Sequence, residues 1–252
     1  MVNSSCQNCG EVFIEDIKFC PKCGKAIQLT SNEIRTKSLN LIIAFYVTFL
    51  LFALISFFVM DSNEASLIAE FTIEFVFAAL VIGFCTVDYQ NILKLYKFPK
   101  VNWAIWLITF VFPVFSSISV YFFIEFVNNF VFEVESINYI YSYAYLDHAL
   151  LWAIFFIVIL PPIFEELAFR GFLFNQLQKV TSQNVTIVAT AFIFALVHFS
   201  FISFIWIFPF GLVLGYLRSR YNTLWLGIII HFIHNLSIVL IDNLFYLELG
   251  SN

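Results

Sequence analysis

The sequence predicts an all-α polytopic membrane protein of about seven transmembrane helices, with a cytoplasmic N-terminus and a small zinc ribbon in front. Three observations carry this prediction. Of 252 residues, 62% are hydrophobic and only 12% charged, and the mean hydropathy is +0.92; a soluble domain needs far more polar surface. The apolar residues gather in runs of about twenty, the length that crosses a hydrocarbon core of about 30 Å. The few basic residues are segregated along the chain, which says more than the net charge of −5.

The ribbon comes first, over residues 1–25. Cys6-Gln-Asn-Cys9-Gly and Cys20-Pro-Lys-Cys23-Gly are two CxxC knuckles. Four thiolates at such spacing suit a closed, tetrahedral, structural zinc site. The glycine after each pair lets the backbone turn. Disulfides are the competing reading, disfavoured in a reducing cytosol. A segment this short builds no useful core, so the metal supplies its folding energy. Docking to a cytosolic partner is the expected role, and no nucleic acid is expected. A polar linker over 26–38 follows.

The apolar runs fall near 39–60, 66–87, 102–127, 148–170, 185–201, 203–218 and 223–245. The first is too long for a signal-peptide core and reads as a span. The first three occupy 39–127, and a second unit spans 145–245. The fifth and sixth runs are short, parted only by the turn around Ser200 to Ser203, and a re-entrant hairpin is the alternative there. Seven crossings put all twelve basic residues on one side: Lys18, Lys22, Lys25, Arg35, Lys37, Lys94, Lys97, Lys100, Arg170, Lys179, Arg218 and Arg220. The opposite loops carry Asp61, Glu64, Glu133, Glu135 and Asp147 and no Lys or Arg. The positive-inside rule assigns the basic side to the cytoplasm. The chain is thus expected to be a multi-pass protein of the cell membrane, surrounded by the lipid bilayer.

Ionisable groups inside spans cost about 2.5–3.5 kcal/mol each at mid-span, so they are functional candidates. They concentrate after residue 160. In PPIFEELAFR (161–170), Glu166 and Arg170 are four apart in the favourable order for a helical ion pair. Glu165 points elsewhere and is left without that partner in an apolar setting, as suits a general base. Pro161 and Pro162 are expected to kink the helix and free backbone carbonyls. His231 and Asn235 share one face of the last span, with His234 partly on it; His198 lies on the fifth. At about 1.5 Å per residue, the predicted depths of Glu165 (about 8–14 Å), His231 (about 14 Å) and His198 (about 21 Å) do not coincide. A tilt or the proline break must bring them together. Glu70, Glu74 and Glu125 read as groups near the interface. Cys85 reads as a small buried hydrophobe, and Gly211 with Gly215 as a helix-packing pair.

These residues carry a family resemblance. EELAFR (165–170) matches EExxxR, FALVH (194–198) matches FxxxH and HFIHN (231–235) matches HxxxN. In this order, each on its own span, they resemble the CPBP family of intramembrane endopeptidases. That family includes type II CAAX prenyl proteases, bacteriocin self-immunity (Abi) proteins and lysostaphin resistance protein A. The resemblance covers roughly residues 145–240. It implies Glu165 as the base that activates water, His198 as a holder of that water, and His231 with Asn235 as stabilisers of the oxyanion. It implies Glu166 and Arg170 as supports. The implied reaction is peptide-bond hydrolysis on a peptide or membrane-protein tail, near the cytoplasmic leaflet, with no certain cofactor at the active site and a use in bacteriocin immunity or peptide maturation. Three alternatives stand beside it: a zinc-dependent metalloprotease, a non-enzymatic immunity or scaffold protein, and a carrier with Glu165 as its site.

Overall fold

The computed structural model describes residues 4–5, 9–13, 22–23, 31–62, 66–132 and 139–249. Cys6, Cys20, Lys18, Lys25, Glu64, Glu133 and Glu135 lie outside the described residues. At the front, β1 (Ser4–Ser5) and β2 (Val12–Phe13) pair antiparallel, Ser4 opposite Phe13 and Ser5 opposite Val12. Cys9 sits in the turn between them, and the next residue, Gly10, has φ +73°, a conformation that favours glycine.

Most of the other described residues are helical. In order come α1 (Ser31–Ser62), α2 (Leu67–Thr86), α3 (Tyr89–Leu95), α4 (Trp103–Val127), α5 (Ala149–Gln178), α6 (Gln183–Leu196), α7 (Phe201–Tyr221) and α8 (Trp225–Leu249). Among the described residues six helices are long and apolar enough to cross a membrane, not seven. The expected fifth span is α6, whose 14 residues reach only about 21 Å at 1.5 Å per residue. Hydropathy runs on through Val197 and Phe199, but Phe199 adopts φ 49° and breaks the helix. The Ser200 hydroxyl then accepts from the Ser203 N–H at 3.2 Å and starts α7. Helices α6 and α7 form an antiparallel hairpin that enters and leaves at the same face. The other crossings therefore keep their directions.

Gly211 and Gly215 bring that hairpin together. A Cβ on Gly211 would lie 3.1 Å from that of Ala191, and one on Gly215 would lie 3.2 Å from Ile187. Such close backbone approach suits packing in lipid, as expected of this pair.

Hydrogen bonds define two faces. At one, the Ser38 hydroxyl donates to Gln176, Lys179 pairs with Asp88 at 3.3 Å, and the Thr223 hydroxyl faces the carbonyls of Leu95 and Lys97. The Trp225 indole donates to the Tyr96 carbonyl at 2.7 Å. This face gathers Lys94, Lys97, Lys179, Arg218 and Arg220. At the other, the Tyr139 and Ile140 amides donate to Asp242, and the Tyr143 hydroxyl donates to Glu70 at 2.9 Å. Burial and the Glu70 carboxylate push the Tyr143 hydroxyl up from its ordinary range, so it stays a donor.

Between the faces, aromatic rings of α1 and α2 pack onto α5: Phe45 meets Phe172 at 5.5 Å and Phe169 at 5.9 Å, and Phe84 meets Phe172 at 5.2 Å. Cys85 is buried in the same cluster, as expected.

Candidate active site

Helix α5 is not a regular α-helix. It alternates α and π windings, with π segments at Ile154–Ile159 and Glu166–Leu173; such segments recur at functional sites. Pro161 and Pro162 lie between them. Neither has an N–H, so the Ile157 carbonyl loses both its i+4 and its i+5 donor. The Asn235 side chain fills that place, donating Nδ2–H to the Ile157 oxygen at 2.8 Å. The expected freed carbonyl is thus real, and it seats Asn235. An amide nitrogen carries two protons, so one donor of Asn235 remains.

The adjacent glutamates part as the helix geometry predicts. Glu166 is 0% exposed and accepts from Arg170 Nη1 at 2.9 Å. Arg170 also donates to the Gly211 carbonyl at 3.3 Å, and its guanidinium lies 4.2 Å from the centre of the Phe194 ring. The Arg170 carbonyl accepts from Arg218 Nε at 2.8 Å. The Glu165 side chain, by contrast, is 20% exposed and opens into a cavity of about 520 Å³.

His231 bridges the pair. Its Nε2 is 3.8 Å from Glu165 and its Nδ1 3.4 Å from Glu166. His198 lies in the turn after α6, where Nδ1 is 2.7 Å from the Phe194 carbonyl. A carbonyl only accepts, so Nδ1 carries the proton and Nε2 of the neutral ring is an acceptor. Glu165, His198, His231 and Asn235 all line the one cavity. The unequal depths expected from the spans disappear for two reasons. Helix α5 runs on to Gln178, so Glu165 lies deeper than a helix ending near 170 would place it. The Arg218 guanidinium donates both to Asn175 and to Asn222, which sets the start of α8 level with Asn175.

Several residues around the site have contacts that the sequence did not assign to them. A Cβ on Gly227 would lie 2.6 Å from Glu166 Oε2, so the absence of a side chain there makes room for that carboxylate. Arg218, expected in a loop, is 4% exposed and braces Arg170. Glu74, expected near the interface, lines a second cavity of about 180 Å³ together with Glu165 and His198. The His234 ring packs at a tilt against Phe210, with centroids 4.7 Å apart, and Trp206, at 5.5 Å. Phe194, at the head of FxxxH, supports Arg170 and touches the rings of His198 and His231 edge-on. From Glu165 the larger cavity passes Pro161 and Ile157 towards Glu125, Asn128, Tyr139 and Asp242, away from the basic face.

Among the described residues no three His, Cys, Asp or Glu side chains are grouped to hold a metal ion. Near the N-terminus Cys9 and Cys23 are described, and Lys22 pairs with Glu11 at 2.8 Å, which links the two CxxC segments.

Fold and site together define a polytopic membrane protein with a cavity of about 520 Å³ among its helices, lined by apolar side chains and a few ionisable ones. Residues 147–237 match a family model described as type II CAAX prenyl endopeptidase Rce1-like. That stretch contains all three motifs, and the match supports the CPBP resemblance drawn from them. No curated protein and no solved structure matches the chain.

Proposed function

We propose that the protein is an intramembrane endopeptidase that hydrolyses peptide bonds with a water activated by Glu165. One observation carries the reading: Glu165 faces the cavity beside His231 and His198, while Glu166 is locked away by Arg170. Glu165 takes a proton from water as the oxygen attacks the scissile carbonyl carbon. His198 Nε2 accepts the water's other proton as a hydrogen bond and aims its lone pair. The remaining N–H of Asn235, with His231, stabilises the oxyanion. Collapse of the intermediate breaks the C–N bond, and the proton held by Glu165 passes to the leaving nitrogen. Substrates are membrane-associated peptides or protein tails, and bacteriocin immunity or peptide maturation is the setting this chemistry suits.

Cys6, Cys9, Cys20 and Cys23 would hold a structural zinc. The hairpin, the positive φ of Gly10 and the Lys22–Glu11 contact fit such a knuckle pair. The zinc would supply folding energy to the ribbon.

The test is cleavage of a quenched peptide library by purified protein in nanodiscs. Wild type cleaves and Glu165→Gln does not. A chelator leaves a ribbon-deleted form active; inhibition of that form would instead establish a metalloprotease.

A further inference from the structure

Two cavities meet at the same pair of residues. Glu165 and His198 line both the cavity of about 520 Å³ and the smaller one of about 180 Å³. Glu74 joins them on the smaller cavity, one turn further into α2 than Glu70, whose carboxylate the Tyr143 hydroxyl occupies. The other side chains lining that cavity, from α1, α2, α5 and the turn after α6, are hydrocarbon. Among the described residues, none donates a hydrogen bond to the buried Oε2 of Glu74 or of Glu165. Donors are therefore short. The Glu165 carboxylate only accepts, and His198 Nε2 accepts because Nδ1 carries the proton. Glu74 supplies one O–H at most, and none when charged. Buried acceptors without donors are costly, above all in lipid. Water brings two donors, and at about 30 Å³ per molecule the smaller cavity takes a few waters but no length of peptide. Hydrolysis consumes one water for each peptide bond. While a peptide occupies the larger cavity, the next water must reach Glu165 and His198 from a space that the peptide does not fill.

We propose that the smaller cavity is the water store of the hydrolytic centre and that Glu74 is its positioning residue, holding the waters on which Glu165 and His198 draw. This deepens the peptidase reading and rests on it for the chemistry. The hydration of the cavity does not depend on catalysis. Glu74 stands outside all three sequence motifs and comes from a helix that contributes no other group to the reaction.

The test is X-ray hydroxyl-radical footprinting of the protein in nanodiscs, read by mass spectrometry. Radiolysis of a bound water hydroxylates the side chains beside it, even where bulk solvent does not reach. Phe49 and Phe169 are buried and line the smaller cavity, whereas Phe45 and Phe172 are buried in the same cluster and line neither cavity. Phe49 and Phe169 are expected to be hydroxylated, and Phe45 and Phe172 not. Glu74→Leu is expected to lose that labelling, and Glu74→Gln, which keeps a hydrogen-bonding group, to retain it. Ala53→Leu fills the cavity from α1 without touching a carboxyl group and gives the same loss by a second route. On a cleaved peptide, Glu74→Leu lowers kcat about tenfold with KM unchanged, the worth of about one hydrogen bond to the water. Equal labelling of all four rings, no labelling of any, or unchanged labelling in both Glu74→Leu and Ala53→Leu overturns the proposal. So does wild-type kcat in a Glu74→Leu protein that has lost the labelling. Cleavage by Glu165→Gln with the labelling pattern intact would sink the proposed reaction and leave Glu74 and its waters standing. An inactive Glu165→Gln without that pattern in wild type would do the opposite.

Discussion

On the basic-face side of Glu165, Arg170 and Arg218 are 1% and 4% exposed and commit their donors to Glu166, to two backbone carbonyls and to the amides of Asn175 and Asn222. On the other side, Glu165, His198 and Asn235 border a cavity of about 520 Å³. The same residue types thus serve as mortar in one half of the bundle and as a reactive surface in the other. Buried charge in lipid is tolerated where it is paired and hydrogen-bonded, as Arg170 is with Glu166. That bonded layer also fixes the side chains above it, which is what a preorganised site requires.

The comparison can be broken most sharply at Glu165. Glu165→Gln is expected to lower kcat by about 10²–10⁴-fold, the typical contribution of a positioned general base, without changing the unfolding transition. Single-turnover cleavage with parallel thermal unfolding checks both halves of that statement. Glu166→Gln makes the same chemical change one residue on. It leaves Arg170 without its anion and is expected to cost about 3–5 kcal/mol of stability, read by denaturant unfolding in mild detergent. Gly227→Ala pushes a methyl group into the Glu166 carboxylate and should cost about 1–3 kcal/mol, with cleavage falling because His231 moves with Glu166. Ser38→Ala removes a buried hydrogen bond to Gln176 at the far edge of the bonded layer. Its expected cost is about 0.5–1.5 kcal/mol, with kcat unchanged.

Much of this was legible in the sequence, and the reasons it was legible are physical. Long apolar runs report spans because lipid leaves a helix no alternative, and the two-faced sorting of lysines and arginines survives in the hydrogen bonds around Asp88 and Thr223. The i,i+4 spacing alone separates Glu166 from Glu165. Pro161 and Pro162 announced a free carbonyl, though not that Asn235 would take it. What hydropathy could not see was a backbone angle: Phe199 is as apolar as its neighbours, yet its φ of 49° ends α6 early. Nor could spacing measured along regular helices anticipate the π windings of α5, or that α8 starts level with Asn175. Gly227 matters for the space it leaves, and Arg218 for the carbonyl it holds; neither property is written in residue type. Glu74 read as interfacial because its second cavity exists only once α1, α2 and the His198 turn are packed together.

The most direct test of the central claim is a paired measurement on Glu165→Gln and Glu166→Gln, each purified in nanodiscs, of turnover on a cleaved peptide and of unfolding free energy. The account predicts that the first variant loses turnover and keeps its stability, while the second loses stability. Full turnover in Glu165→Gln, or equal destabilisation of the two, would contradict the division of labour between the adjacent glutamates.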